Sequence, residues 1–209
     1  LFFTISYMKN LQINKNLINN ITDIQATQIE NFVSLLKKWN KAYSLIGNQA
    51  LNEINEIHIP QAIILSRLLE KEGEVYDLGS GNGLPSIILA IFLPNTKIFA
   101  IEISSKKCVF LQNLKVNLGL NNFSVIEKKV EEVNLSGKTI TAKAFSALYN
   151  ILGLFNKKFP SQLYLLKGEK TNEEIEVASK KFTFSHELIP LKIKEREVGM
   201  VLYISKIQG

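Results

Sequence analysis

The sequence predicts an α/β fold, with a mostly parallel sheet covered by helices on both faces and a helical region ahead of it. Three observations predict it. From residue 74 onward, short apolar runs alternate with helix-length stretches. The first apolar run passes through a glycine-rich turn, "DLGSGNGLPS", into a helix. Before residue 74, apolar side chains recur at the helical steps of three and four. The organisation expected is a helical extension over residues 1–73 and one compact core over 74–209.

In the extension, Ile29, Phe32, Val33, Leu36, Trp39 and Tyr43 share one face of a helix within 22–46, with Thr22 or Asp23 as its N-cap. A second helical region spans about 50–71, and Pro60 kinks or restarts it. In the core, "EVYDL" is a strand, 84–93 a helix ended by Pro94, and "KIFAIE" a strand. Residues 105–118 form a helix closed by Gly119, followed by the strand "FSVIE". "ITAKAF" and "QLYLLK" are strands around a helix near 147–158, and 172–181 is a polar helix. "FTFSHELIPL" and "VGMVLYISKI" have no convincing helix between them and read as an antiparallel hairpin added to the sheet.

The 209 residues suffice for one domain with a small extension, and 46% hydrophobic with 21% charged residues is a globular composition. A single cysteine, Cys108, excludes an intramolecular disulfide and suits a reducing compartment. Two histidines far from it in sequence give no zinc-site spacing, so no metal is expected. The opening "LFFTISY" lacks a basic region and a cleavage site, so it does not read as a signal peptide; Met8 follows it at once, as in an upstream extension. No apolar run is long enough for a membrane span, and the cytoplasm is the expected compartment. The net charge of +6 is spread along the chain without a basic block, which tilts toward a polyanionic partner without specifying one.

Three glycines stand in five residues where a strand meets a helix. In a βαβ unit that turn borders the ligand crevice, and glycine lets backbone and ligand approach each other closely. Gly79, Gly81 and Gly83 meet this need, and Glu102, at the tip of the second strand, is placed to accept from ribose hydroxyls. A nucleoside-containing cofactor follows. A dinucleotide fingerprint requires its third glycine at position 84, where this chain has leucine. Asp77, just before the turn, would repel a pyrophosphate but suits a cationic group. The pattern Asp-x-Gly-x-Gly-x-Gly therefore favours S-adenosylmethionine over NAD.

With these motifs placed, the chain resembles the GidB family of bacterial methyltransferases, which act on guanine N7 in small-subunit (16S) ribosomal RNA. The resemblance rests on "KKWNKAYSLI" (37–46), "HIPQA" (58–62), "DLGSGNGLPSIILAI" (77–91), "KKCVFL" (106–111), "KKVEE" (128–132), "AKAFSAL" (142–148) and "LLKG" (165–168), in the family's order and spacing. It runs from about residue 22 to the C-terminus, and the pairing of "KWNKAY" with "GLPSI" is its most specific part. It implies a class I S-adenosylmethionine-dependent methyltransferase, a Rossmann-like seven-stranded sheet, with a small helical N-terminal extension. By position it implies cofactor contacts at Gly79 and Leu84, the ribose carboxylate at Glu102, and the adenine-side segment at Val130 and Glu131. Lys143 stands where the family has the arginine of an "RAF" motif. Other departures are Lys129 for an arginine and "HIPQA" for His-Ile-x-Asp-Ser. Lysine keeps the charge but loses the planar fork that reads phosphate or guanine.

Guanine N7 carries a lone pair and no proton, so methyl transfer to it requires alignment rather than a general base. No catalytic acid or base is named for that reason. Lys143 is a candidate for a phosphate, guanine O6 or the cofactor carboxylate. Trp39 either packs the extension onto the sheet or offers RNA a stacking platform beside Asn40 and Lys41. Lys167, at a strand tip, either meets a substrate phosphate or caps structure. Lys106, Lys107, Lys128 and Lys129 form either a solvated rim or a phosphate track. His58 reads as a structural histidine and Cys108 as core. The partner implied is ribosomal RNA or the small ribosomal subunit, met by a monomer without a membrane. Two other readings stay open: a methyltransferase for another acceptor, and an RNA-docking cofactor-binding module without turnover.

Overall fold

The computed structural model describes residues 21–193 and 195–209, so the readings of "LFFTISY" and Met8 lie outside the described residues. Helix α1 (Asp23–Tyr43) starts at a capping box. Gln25 N–H donates to Thr22 Oγ1 at 3.2 Å, and Thr22 N–H donates to Gln25 Oε1 at 3.0 Å. Its face of Ile29, Phe32, Val33 and Leu36 is buried. The helix ends at Ser44, which is left-handed, and Asn40 Oδ1 accepts from Ile46 N–H at 2.9 Å to close the turn. A short α2 (Asn48–Asn52) and a π-helical turn (Ile54–His58) lead into α3 (Ile59–Leu68). Pro60 sits in the first turn of α3, where its missing N–H costs nothing, so it restarts the helical path rather than kinking a continuous helix.

The core then runs β1 (Glu74–Leu78), α4 (Ser86–Phe92), β2 (Lys97–Glu102), α5 (Ser105–Leu118) and β3 (Phe123–Glu127). A 3₁₀ turn (Val130–Glu132) precedes β4 (Thr139–Lys143), α6 (Leu148–Leu154), β5 (Gln162–Lys167) and α7 (Thr171–Ser179). The hairpin β6 (Thr183–Ile193) and β7 (Arg196–Gln208) closes the chain. The seven-stranded sheet has the order β3-β2-β1-β4-β5-β7-β6. Strands β1 to β5 are parallel, and β7 runs antiparallel to both β5 and β6. The expected strand "ITAKAF" stops at Lys143 because Ala144 turns left-handed, with φ 51°.

Alternation along the strands sorts the core into two layers. Val75, Ile98, Ala100 and Phe123 pack with α1, α3, α4 and α5 on one face. Tyr76, Leu78, Ile140, Ala142 and Leu165 pack with the 3₁₀ turn, α6 and α7 on the other. Helix α1 contributes to the same apolar cluster as β1 and β2. Among the described residues no helix is long and apolar enough to cross a membrane. Because β1 has β2 on one side and β4 on the other, the chain reverses direction across the sheet there. The crevice at the carboxyl ends of β1 and β4 is where an open α/β sheet takes a ligand.

Candidate active site at the β1–β4 switch point

The three glycines after β1 serve three different ends. Gly79 (φ 65°) lies under the ring of Phe145; a Cβ there would sit 2.4 Å from Phe145 Cδ2. Gly81 points its N–H at Glu102 Oε2, at 3.0 Å. Gly83 (φ 88°) faces the core, where a Cβ would sit 2.8 Å from Ile87 Cγ1 and 3.3 Å from Leu114 Cδ1. Packing of α4 against α1 and α5, rather than ligand approach, requires that third glycine. Leu84 is buried in the same core cluster.

Two adjoining cavities open at this edge. The first, of about 520 Å³, is lined by Gly79, Glu102, Ile103, Val130 and Glu131, with Lys107, Lys128 and Lys129 also around it. Glu102 is 6% exposed and spends one lone pair of each oxygen on backbone: Oε2 on Gly81 N–H and Oε1 on Ser104 N–H, at 2.9 Å. A carboxylate accepts about four hydrogen bonds, so capacity remains for a ligand hydroxyl. The second cavity, of about 420 Å³, is lined by His58, Gln61, Lys143, Ser146 and Lys167. Ala144 and Phe145 line both cavities.

Charge is unevenly satisfied here. Asp77 is 1% exposed, and neither carboxylate oxygen has a hydrogen-bond partner of good geometry. Burial pushes its pKa up to about 7, against the moderating nearness of Ser80 and Ser86, whose hydroxyls donate instead to the Asp77 and Gly83 carbonyls. Lys143 follows Thr141, the register partner of Asp77, by two residues, so both side chains leave the same face of the sheet. No ion pair joins them. Burial lowers the Lys143 pKa, and the Asp77 charge partly restores it. Burial and then Lys143 lower that of His58, so its imidazole is neutral at pH 7. Lys167 is held elsewhere: Nζ donates to Ser146 O at 2.8 Å and to Glu174 Oε2 at 2.6 Å, and that oxygen also accepts from Leu148 N–H at 2.8 Å. This clamp ties β5 and α7 to the start of α6.

Of the residues singled out in the sequence, Gly79, Glu102, Lys129, Val130 and Glu131 meet at the first cavity, and Lys143 and Lys167 at the second. Trp39 and Asn40 line neither. Trp39 packs on Phe110, ring centroids 5.4 Å apart, against the apolar cluster under α1. Cys108 donates to Glu102 O at 3.3 Å; burial, then Glu127 and Glu102, push its thiol up to about 11, which leaves it unreactive. Sequence reasoning passed over Phe145 and Glu174. The only local signal for Phe145 is an aromatic residue just past a strand tip. Glu174 acts through a tertiary contact that leaves no trace in spacing.

The family model for rRNA small subunit methyltransferase G, GidB, matches residues 25–199. A ribosomal RNA small subunit methyltransferase G of Rickettsia africae is 31% identical over 182 residues, covering 86% of this chain and 93% of that protein. One from Francisella philomiragia is 32% identical over 160 residues, covering 73% of this chain and 78% of its own. Among solved structures, magnesium protoporphyrin IX methyltransferase from Synechocystis, with bound SAM, has a TM-score of 0.57 at 15% identity, covering 91% of this chain and 99% of that one. A SAM dependent methyltransferase from Aquifex aeolicus has a TM-score of 0.54 at 16% identity, covering 82% and 97%. These two likenesses establish the fold as that of class I methyltransferases; the family model and the two curated relatives establish that the chain belongs to the GidB family.

Proposed function

We propose that the protein transfers a methyl group from S-adenosylmethionine to N7 of a guanine in small-subunit ribosomal RNA. The observation that carries this is the pair of adjoining cavities at the switch point, in a chain of this family. The charges fit the cofactor. A buried carboxylate with no well-formed hydrogen bond and a half-buried ammonium without an ion-pair partner leave one face of the sheet from neighbouring strands. A zwitterionic amino-acid end supplies the opposite charge to each, with Asp77 taking the ammonium, directly or through water, and Lys143 the carboxylate. Glu102 keeps lone pairs for ribose hydroxyls, while Gly79, Val130 and Glu131 border the nucleoside. Gly81, Gly83 and Leu84 shape the turn.

When bound, S-adenosylmethionine supplies an electrophilic methyl group on a sulfonium. The chain's contribution is alignment and exclusion of water. Guanine N7 attacks with its own lone pair, so no side chain has to remove a proton. The lysines around the first cavity, with Lys129 among them, lie where RNA phosphate would pass, and the RNA reading adds Trp39 and Asn40 on α1 as a separate contact. Lys167, held by Glu174, serves the substrate side through the loop it fixes. The protein acts as a monomer in the cytoplasm, where its ribosomal substrate is.

The test is incubation of the purified protein with labelled S-adenosylmethionine and unmethylated small ribosomal subunits, or their naked RNA, followed by mass mapping. One 7-methylguanine at a defined nucleotide is the expected product. Cofactor binding without incorporation into either substrate would instead favour a docking module, and incorporation elsewhere another acceptor.

A further inference from the structure

We propose that the second cavity receives the acceptor base and that Phe145 is its stacking wall, a substrate-binding residue. The inference rests on the methyl-transfer reading above. The two cavities share Ala144 and Phe145, so donor and acceptor placed in them meet at this ring. The ring is held in place. It packs against the apolar cluster of α6 and α7, and its edge occupies the space that the missing Cβ of Gly79 leaves. Ala144 takes a left-handed conformation, φ 51°, uncommon for a residue with a Cβ, to swing Phe145 over the turn.

The chemistry of the second cavity suits a purine. At about 420 Å³ it lies in the range of small-ligand pockets. Among the described residues Phe145 is the phenyl ring that lines it, together with the polar side chains of His58, Gln61, Lys143 and Ser146. Gln61 is 8% exposed, and its Nε2 donates to Val198 O; since a carbonyl only accepts, the amide orientation is fixed. Oε1 then faces His58 Nδ1 at 3.4 Å, which places the proton of the neutral imidazole on Nδ1. His58 Nε2 has no partner and is itself buried, so the imidazole contributes shape to the cavity wall rather than a hydrogen bond. The Lys143 ammonium has three N–H donors, so one can hold the cofactor carboxylate while another reaches guanine O6. A base buried in structured RNA must be extruded to reach such a pocket, and stacking on an aromatic face offsets part of its unstacking.

The test compares Phe145→Leu, Phe145→Tyr and Phe145→Trp with wild type, measuring kcat/KM on unmethylated small subunits and the Kd of S-adenosylhomocysteine by calorimetry. A stacking wall predicts that Leu lowers kcat/KM by ~10–100-fold while Kd changes less than about threefold, and that Tyr or Trp restores most of the rate. Should the Leu variant fail to fold, Tyr and Trp decide: near-wild-type rates support the wall, and loss of rate with unchanged melting temperature overturns it. Loss of cofactor affinity in step with kcat/KM also overturns it, since Phe145 would then belong to the cofactor site. A wild-type protein that transfers no methyl group strikes the function reading itself, whatever the Phe145 variants do.

Discussion

Asp77→Asn isolates the most costly group in the site. The folded carboxyl holds its proton up to about pH 7, whereas the ordinary value is 3.8. The stability that protonated Asp77 contributes is complete below 3.8, falls as pH rises and levels off above 7. Integrating the linkage between pH 5 and pH 8 gives a loss of roughly 2.5 kcal/mol for wild type. Asparagine has the same shape and no charge, so its variant should lack that slope. The assay is urea denaturation of the two ligand-free proteins at several pH values from 5 to 8. The informative quantity is the change with pH of their stability difference, because the asparagine amide brings its own unpaired groups. The variant should gain on wild type by about 1–2.5 kcal/mol across this range, since relaxation around a buried charge reduces the full figure. A second arm reads function. If Asp77 meets the cofactor ammonium, S-adenosylhomocysteine should bind wild type more tightly as pH rises toward 7, and Asp77→Asn about 10–100-fold more weakly at pH 7.5. A stability difference that is flat from pH 5 to pH 8 would refute the assignment of a raised pKa to this carboxyl.

Gly79→Ala forces a Cβ into the Phe145 ring at a left-handed position, so it should cost ~1–3 kcal/mol in stability and weaken cofactor binding; an unchanged melting temperature would count against the close approach. Glu102→Gln leaves one carbonyl oxygen for the two amides of Gly81 and Ser104, so it should lose ~1–3 kcal/mol in stability along with cofactor affinity, read by denaturation and calorimetry. Lys167→Met and Glu174→Gln should each destabilise by ~1–3 kcal/mol, and the double variant by less than the sum, as a double-mutant cycle in urea would show. Lys143→Ala should lower kcat/KM by ~1.5–3 kcal/mol while Lys143→Arg keeps or raises it; an alanine variant with wild-type binding and turnover would remove Lys143 from the site.

The fold was legible because its signals are local and repeated. Apolar runs of strand length, the capping residue Thr22, Pro94 after a helix and Gly119 at a helix end each act within a few residues. Boundaries moved where backbone conformation overrode pattern. "ITAKAF" continues an alternating run, yet the strand ends when Ala144 turns left-handed, and no propensity of alanine announces that. The region 50–71 is helical in composition, but Pro60 and a π-helical turn divide it. Gly83 shows the same limit from the other side. Its spacing placed it with the ligand turn, while its contacts are Ile87, Leu114 and Phe32, from three helices that the sequence does not bring together.

The site was legible only in the half that is built from one turn and two strand tips. Gly79, Glu102 and the segment after β3 follow from the order of elements in a βαβ unit, so spacing locates them at one cavity. The other half depends on which side chains already have partners. Lys143 and Lys167 look alike in sequence, each a lysine at a parallel strand's tip. In the fold Lys167 is neutralised by Glu174 and the Ser146 carbonyl, whereas Lys143 is half-buried without an ion-pair partner, on the same sheet face as Asp77, whose carboxylate lacks a well-formed hydrogen bond. The difference comes from a glutamate on α7 that happens to reach one strand tip and not the other. A reaction that needs no proton transfer leaves no acid–base pair to search for in sequence. What remains is geometry: a carboxylate kept dry, an ammonium kept unpaired, and a ring held over a glycine between two cavities.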